Sequence, residues 1–98
     1  MTGVEHHSIT GTIKEIRARI GSDGKDVVEI FLKTSAGEHR AIAHANQASA
    51  AINLKEKMEK LATSNGVGSI AELGVNLVVD GLVKDPSTTT ITALRLAS

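Results

Sequence analysis

The chain has 98 residues, of which 41% are hydrophobic and 22% charged, as in one globular domain and unlike a disordered chain. Its 11 basic and 11 acidic residues cancel, so it lacks the net basic charge of a typical dedicated nucleic-acid-binding protein. Because it has no cysteine, disulfides, thiolate zinc sites and cysteine nucleophiles are excluded.

The first predicted strand, Ser8 to Ile20, contains a change of phase. Apolar or small residues alternate from Ile9 to Ile13, and the alternation resumes one residue late at Ile16. Since strand side chains alternate between two faces, this slip would turn the apolar face into water unless a bulge absorbs the extra residue. The sequence therefore predicts a bent strand with a β-bulge at Lys14–Glu15.

Two further strands follow, joined by short turns. Asp23-Gly24 is a strong hairpin signal. In the second strand, Asp26 to Thr34, the residues expected to point inward are Val28, Ile30 and Leu32, and those expected to point outward are Val27, Glu29, Phe31 and Lys33. The third strand, Glu38 to His44, is predicted with Ile42 facing the core and Arg40 and His44 on the same side.

Asn46 to Ser64 predicts an amphipathic helix. Apolar residues recur at three- and four-residue spacing on one face: Ala48, Ala51, Leu54, Met58, Leu61 and Ala62. Asn46 is the expected N-cap, and Asn65-Gly66 is the expected left-handed stop. The spacing of Ser69 and Glu72 is that of a capping box, which predicts one more helical turn before Gly74.

The last two predicted strands are Val75 to Val83 and Thr88 to Leu96. The first alternates clearly, with Gly81 where the backbone is expected to bend, and the second is rich in threonine and isoleucine. The turn between them, from Lys84 to Ser87, contains Pro86, which needs no ladder hydrogen bond there.

The resulting order β-β-β-α-β-β resembles the OB-fold from about Ser8 to Leu96. The resemblance depends on the bent first strand, the helix after the third strand, and the closing pair Val79–Val83 and Thr90–Leu94. It implies a mainly β (α+β) fold, a five-stranded antiparallel barrel with its helix between strands three and four. An open antiparallel sheet covered by one helix is the competing architecture.

The resemblance also implies where a ligand would bind. OB-folds use the face of strands two and three, flanked by the loops that join strands one–two and four–five. The candidate binding residues on or beside that face are Arg17, Arg19, Val27, Glu29, Phe31, Lys33, His39 and Arg40, with Ala41 among them and Lys25 and Lys84 in the loops. The alternative is that these charges belong to solvated strand faces that resist aggregation.

The sequence is compatible with two main functions. The preferred one is a non-catalytic binding or assembly module for a protein partner or for self-association, because the chain is neutral and almost lacks aromatic residues. Val27 and Phe31 would supply an outward apolar patch, and a small-residue helix surface would include Ala45, Ala48, Ala51 and Ile52. The helix surface has the alternative of packing on the barrel end. The alternative function is a single-stranded nucleic-acid-binding OB-fold protein, with Phe31 or the arginines stacking on bases.

Other functions have little support. No nucleophile elbow, H-E-x-x-H helix or P-loop is present, so no enzyme and no cofactor are expected. A metal site would need the fold to bring together His6, His7, His39 and His44, which are expected to be surface residues. A barrel binding a metal or a small molecule is the third interpretation.

One domain is expected over residues 1–98, with residues 1–7 as a mobile N-terminal segment. Residues 1–8 have neither a basic start nor an apolar run, and no segment reaches the roughly 20 apolar residues that cross a bilayer. A cytoplasmic protein without a membrane partner is expected.

Overall fold

The computed structural model of the chain describes residues 5–85 and 88–97. Its elements, in chain order, are β1 (Glu5–Ile20), β2 (Asp26–Thr34), β3 (Gly37–His44), α1 (Ala45–Ser64), a 3-10 turn (Ile70–Leu73), β4 (Asn76–Asp85) and β5 (Thr88–Leu96). The predicted turn at Pro86 and Ser87 lies outside the described residues. Of the segment expected to be mobile, residues 5–7 belong to β1 and pair with β4.

The strands close into a barrel in the order β1-β2-β3-β5-β4. This confirms the predicted five-stranded barrel with a helix between strands three and four. The competing prediction of an open sheet is wrong. The prediction that all pairings are antiparallel is wrong at one place, since β3 and β5 run parallel from Arg40↔Thr88 to Ile42↔Thr90. Strand directions cannot alternate all the way around a closed ring with an odd number of strands, so one parallel pair is required.

The predicted β-bulge in β1 is confirmed. Ile13 pairs with Leu32, and Glu15 pairs with Phe31, so Lys14 is the extra residue. Ile13 and Ile16 are both buried although they are three residues apart. The bulge thus keeps the apolar side of a long, bent strand in the core.

Helix α1 covers one end of the barrel. Its buried residues face the core and are Ala48, Ala51, Leu54, Met58 and Ala62. The predicted N-cap is wrong: the helix begins one residue earlier, His44 is the cap residue without a side-chain hydrogen bond, and Asn46 lies inside the helix. The predicted stop is confirmed, because Gly66 has φ 69° and the Asn65 side chain donates to the Leu61 carbonyl at 2.8 Å. The capping box at Ser69 is also confirmed.

The facing of β3 differs from the prediction. His39, Ala41 and Ala43 are buried, whereas Arg40 and His44 are exposed and Ile42 is half-buried on their side. The cause is the register with β2, which places Ala41 opposite the buried Ile30. Alanine and isoleucine alternate in this short strand, so both phases looked apolar in the sequence. The small inward alanines leave room for α1.

His39 helps to close the barrel from inside. Its Nε2 lies 2.6 Å from the Thr89 hydroxyl, and both residues are buried where β3 meets β5. Only three residue pairs, beginning at Arg40↔Thr88, form this parallel seam among the described residues. A buried side-chain contact therefore supports a short backbone pairing.

Thr89→Val is expected to destabilise the protein by about 1–2 kcal/mol, since valine keeps the shape but removes a buried hydrogen-bond partner of His39. Urea unfolding followed by circular dichroism measures the change. The matched control is Thr10→Val at an exposed position of β1, which should stay within about 0.5 kcal/mol of the parent. Equal stabilities for the two variants would contradict a structural role for the His39–Thr89 contact.

Candidate functional site

The candidate site is the outer face of β1, β2 and β3. Cross-strand register places Arg17 opposite Glu29, and Phe31 opposite Arg40. Because paired residues on neighbouring strands point to the same face, side chains from three strands meet there. We call this surface the arginine face and define it by Arg17, Arg19, Glu29, Phe31 and Arg40.

A buried carboxylate lies at the centre of the arginine face. Glu29 is only 7% exposed although it points away from the core. It accepts a hydrogen bond from Arg40 Nη1 at 3.0 Å and one from Arg19 Nε at 3.4 Å. A carboxylate withdrawn from water needs such partners, so Glu29 holds an arginine from β1 and an arginine from β3 together above β2.

The third arginine lies on the aromatic ring. The guanidinium carbon of Arg17 is 5.3 Å from the centre of the Phe31 ring. Its Nη2 and Nε donate to one carboxylate oxygen of Glu15, at 2.9 and 3.1 Å. A cation above a ring gains about 0.5–1 kcal/mol at an exposed site. Phe31, the one aromatic residue of the chain, is thus half-buried under an arginine.

The arginines form the outermost layer of this face. The side chains of Arg17, Arg19 and Arg40 are 59%, 50% and 45% exposed, whereas that of Glu29 is 9% exposed. A ligand approaching from solvent would meet guanidinium groups first and the central acid only beneath them. The face therefore presents positive charge on a chain whose total charge is zero.

A shallow depression borders this face at the β3–β5 seam. It has a volume of about 260 Å³ and is lined by Phe31, Glu38, His39, Arg40 and Thr88. Pockets that enclose drug-sized ligands usually have about 300–1,000 Å³, so this one is smaller than a typical ligand pocket. Thr88 follows the β4–β5 connection, which is one of the two loops that flank the ligand surface of OB-folds.

The structure brings together most of the predicted site residues. Arg17, Arg19, Glu29, Phe31 and Arg40 converge as described above, and Lys33 is exposed on the same side of β2 opposite Glu38. The sequence had not indicated whether the basic residues share a face. Glu15 was missed as part of the site, although its place two residues before Arg17 on a strand was a signal that they share a side.

Three predictions about this surface are wrong. Val27 is only 5% exposed, and it lies close to Gly21, since a Cβ added to Gly21 would be 3.1 Å from Val27 Cγ2. His39 and Ala41 face the barrel interior through the register of β3. With Val27 buried and Phe31 covered by Arg17, the predicted outward apolar patch does not exist.

Most of the predicted small-residue helix surface is also covered: Ile52 packs against the core, and Ala45 alone of its four residues is exposed. Ala48 and Ala51 are buried in the core cluster beneath α1, which confirms the alternative that this side of the helix packs on the barrel end. His7 and His39 line one depression of the barrel, whereas His44 is exposed at the end of β3. Among the described residues no group of three histidine, aspartate or glutamate side chains could hold a metal ion. No helix in the described ranges is long and apolar enough to cross a bilayer.

The fold and this face define the chain as an OB-fold barrel with an arginine-lined strand surface, and solved structures share the fold. The chain is similar to a protein chain in the crystal structure of yeast Stn1 and Ten1, with a TM-score of 0.58 and 8% sequence identity over 95% of this chain. It spans only 43% of that chain's length. It is also similar to Rim1, a mitochondrial single-stranded DNA binding protein of S. cerevisiae, with a TM-score of 0.62 and 12% identity. That similarity covers 99% of this chain and 98% of Rim1. No protein-family model and no curated protein matches the sequence.

These findings correct the preferred function. The interpretation as a protein-binding or self-association module is wrong. Its apolar patch is absent, since Val27 is buried, and the alanine side of its helix surface is covered by the barrel. The solved structures of this fold include a single-stranded DNA binding protein of nearly the same length.

Proposed function

We propose that the protein binds single-stranded nucleic acid on the arginine face, without catalysis. The observation that carries the proposal is the position of Phe31. The one aromatic ring of the chain lies on the strand surface that OB-folds use for oligonucleotides, with Arg17 above it and Arg40 opposite it in register. The similarity of the whole barrel to a single-stranded DNA binding protein supports the same class of ligand.

The chemistry of this face suits a single strand more than a duplex. Single-stranded nucleic acids expose flat bases, which stack on aromatic rings or on guanidinium planes, and phosphates, which attract cations. Arg17 with Phe31 offers a stacking position, while Lys33 and the free donors of Arg19 and Arg40 are within the same surface for phosphates. The depression beside Phe31 adds room for one base.

Another depression of the barrel lacks these groups. It has a volume of about 360 Å³ and lies where residues 7–10 of β1 meet the β2–β3 turn and Val83. Among the residues that the structure describes, its lining includes His7, Ser8, Thr34 and His39 but no lysine or arginine. Hydroxyl and imidazole groups attract the phosphates of a nucleic acid less than arginine and lysine do, so the arginine face is the better site for a single strand.

The first test is fluorescence anisotropy of a labelled, mixed-sequence single-stranded oligonucleotide titrated with the protein. We expect saturable binding in the micromolar range or tighter at 50 mM salt, weaker binding at 200 mM salt, and weaker binding to the same sequence as a duplex. DNA and RNA forms of the strand should both be measured. A flat titration at 50 mM salt with both forms would contradict the proposed function.

The double variant Arg17→Ala/Arg19→Ala is expected to weaken that binding about tenfold or more, which corresponds to roughly 1.4 kcal/mol. Arg40 is retained so that Glu29 keeps its 3.0 Å partner and the barrel stays folded. The matched control is Lys57→Ala/Lys60→Ala on exposed positions of α1, which removes the same charge elsewhere. Equal losses in both variants would show that only the total charge matters, and not this face.

A further inference from the structure

We infer that the arginine face holds nucleic-acid bases mainly on guanidinium planes, each fixed at its edge by a glutamate, and that phosphate attraction is a smaller part of the binding. The inference rests on the proposed function and specifies how the same site recognises its ligand. It explains how a barrel with a single aromatic residue could stack more than one base.

Arg17 shows the arrangement most fully. Its Nε and Nη2 donate to Glu15, and guanidinium N–H groups lie in the plane of the group. These hydrogen bonds therefore use the edge. One face of the plane lies over Phe31, and the side chain is 59% exposed. The opposite face of the guanidinium is accordingly available to a base.

Arg19 and Arg40 are held in the same way by one acid. Each donates to a different carboxylate oxygen of Glu29, through Nε and Nη1 respectively. Because the donors again lie in the plane, pairing at the edge leaves the faces free to stack, which a lysine ammonium could not do. Both side chains are about half exposed while Glu29 is buried beneath them. The acid fixes the arginines without competing for the space above them.

The same acids reduce the phosphate attraction. Glu15 pairs with Arg17, and Glu29 pairs with Arg19 and Arg40. Much of the positive charge of the three arginines is therefore already neutralised. Log affinity of a single strand falls with log salt by about 0.7 for each phosphate neutralised. Four independent phosphate contacts, from the three arginines and Lys33, would give a slope of about −2.8. Stacking on paired arginines predicts a slope of about −1.4 or shallower.

The decisive variant is Arg17→Lys/Arg19→Lys/Arg40→Lys, which keeps every positive charge and removes every plane. We expect at least a tenfold loss of affinity for the single strand at 50 mM salt. The matched control, Lys55→Arg/Lys57→Arg/Lys60→Arg on α1, should bind within twofold of the parent. If the triple lysine variant melts early by circular dichroism, Arg17→Lys alone carries the test, because Arg17 does not pair with Glu29; a threefold or larger loss is then expected.

An oligonucleotide of equal length with abasic sites gives the second measurement, since it keeps the phosphates and lacks the bases. The parent should bind it at least tenfold more weakly than the normal strand, and the lysine variant should distinguish the two strands much less. Equal binding of both strands by the parent, or full affinity in the lysine variant, would overturn the inference while leaving single-strand binding established. If the parent binds neither strand, the proposed function itself fails.

Discussion

Replacing Gly81 with alanine should destabilise the barrel by about 3 kcal/mol or more, at the upper end of what overpacking costs. Gly81 lies at a register shift between β4 and β5. An added Cβ there would overlap the carbonyl oxygen of Thr90 and would lie 2.6 Å from Thr89 Cγ2. The carbonyl belongs to the backbone of β5 and cannot turn aside as a flexible side chain would. The two strands would have to separate.

A graded series of glycine substitutions tests this expectation by urea unfolding. Gly68→Ala is the control, since its Cβ would meet only Glu72 Oε2 at 3.5 Å, and its stability should change by less than about 0.5 kcal/mol. Gly11→Ala should fall between the two, with a Cβ 2.9 Å from the Lys33 carbonyl and 3.0 Å from Leu32 Cβ. A Gly81→Ala protein as stable as Gly68→Ala would contradict the close β4–β5 contact.

This contact also matters for the candidate site. β5 supplies the parallel partner of β3 at Arg40↔Thr88, and β4 is the strand that holds β5 in place on its other side. A barrel opened at Gly81 would release the edge next to Arg40. We therefore expect Gly81→Ala to lose single-strand binding together with its stability, whereas the arginine variants should lose binding alone.

Replacing Met58 with alanine should cost about 2–5 kcal/mol, the usual range for truncating a buried long side chain. Met58 is fully buried, at 0% exposure, and belongs to the core cluster where α1 closes the barrel end. Within α1, the buried residues one turn before and after it are Leu54 and Ala62, so truncation would leave a cavity between them. The loss therefore includes both the transfer of the side chain and the cavity.

Leu61→Ala is the matched control for Met58→Ala. Leu61 lies in the same helix but is 38% exposed, so its truncation should cost about 1 kcal/mol or less. The denaturant dependence of the unfolding free energy should be the same for the two variants, since both expose about the same surface when they unfold. Equal losses of stability in Leu61→Ala and Met58→Ala would mean that α1 presents a different face to the barrel than the one described.

The sequence by itself determined the elements and their order, because these depend on local periodicity and local backbone chemistry. The phase slip at Lys14–Glu15 predicted the bulge, and Asn65-Gly66 predicted the helix end; both are confirmed. The order of strands around one helix predicted the barrel. The resemblance to the OB-fold also singled out Arg17, Phe31 and Arg40 as candidate binding residues, but not the convergence of their side chains on one face.

Only the tertiary structure decided which way ambiguous side chains point and what covers them. In β3, alanine and isoleucine alternate, so the register with β2 was needed to bury Ala41 and turn Arg40 outward. Val27 looked exposed because no local pattern shows that the chain at Gly21 lies over it. Glu29 looked like one more surface charge until its pairing with the neighbouring strands β1 and β3 placed two arginines on it. Such contacts depend on pairing between strands, which a single strand's sequence does not encode.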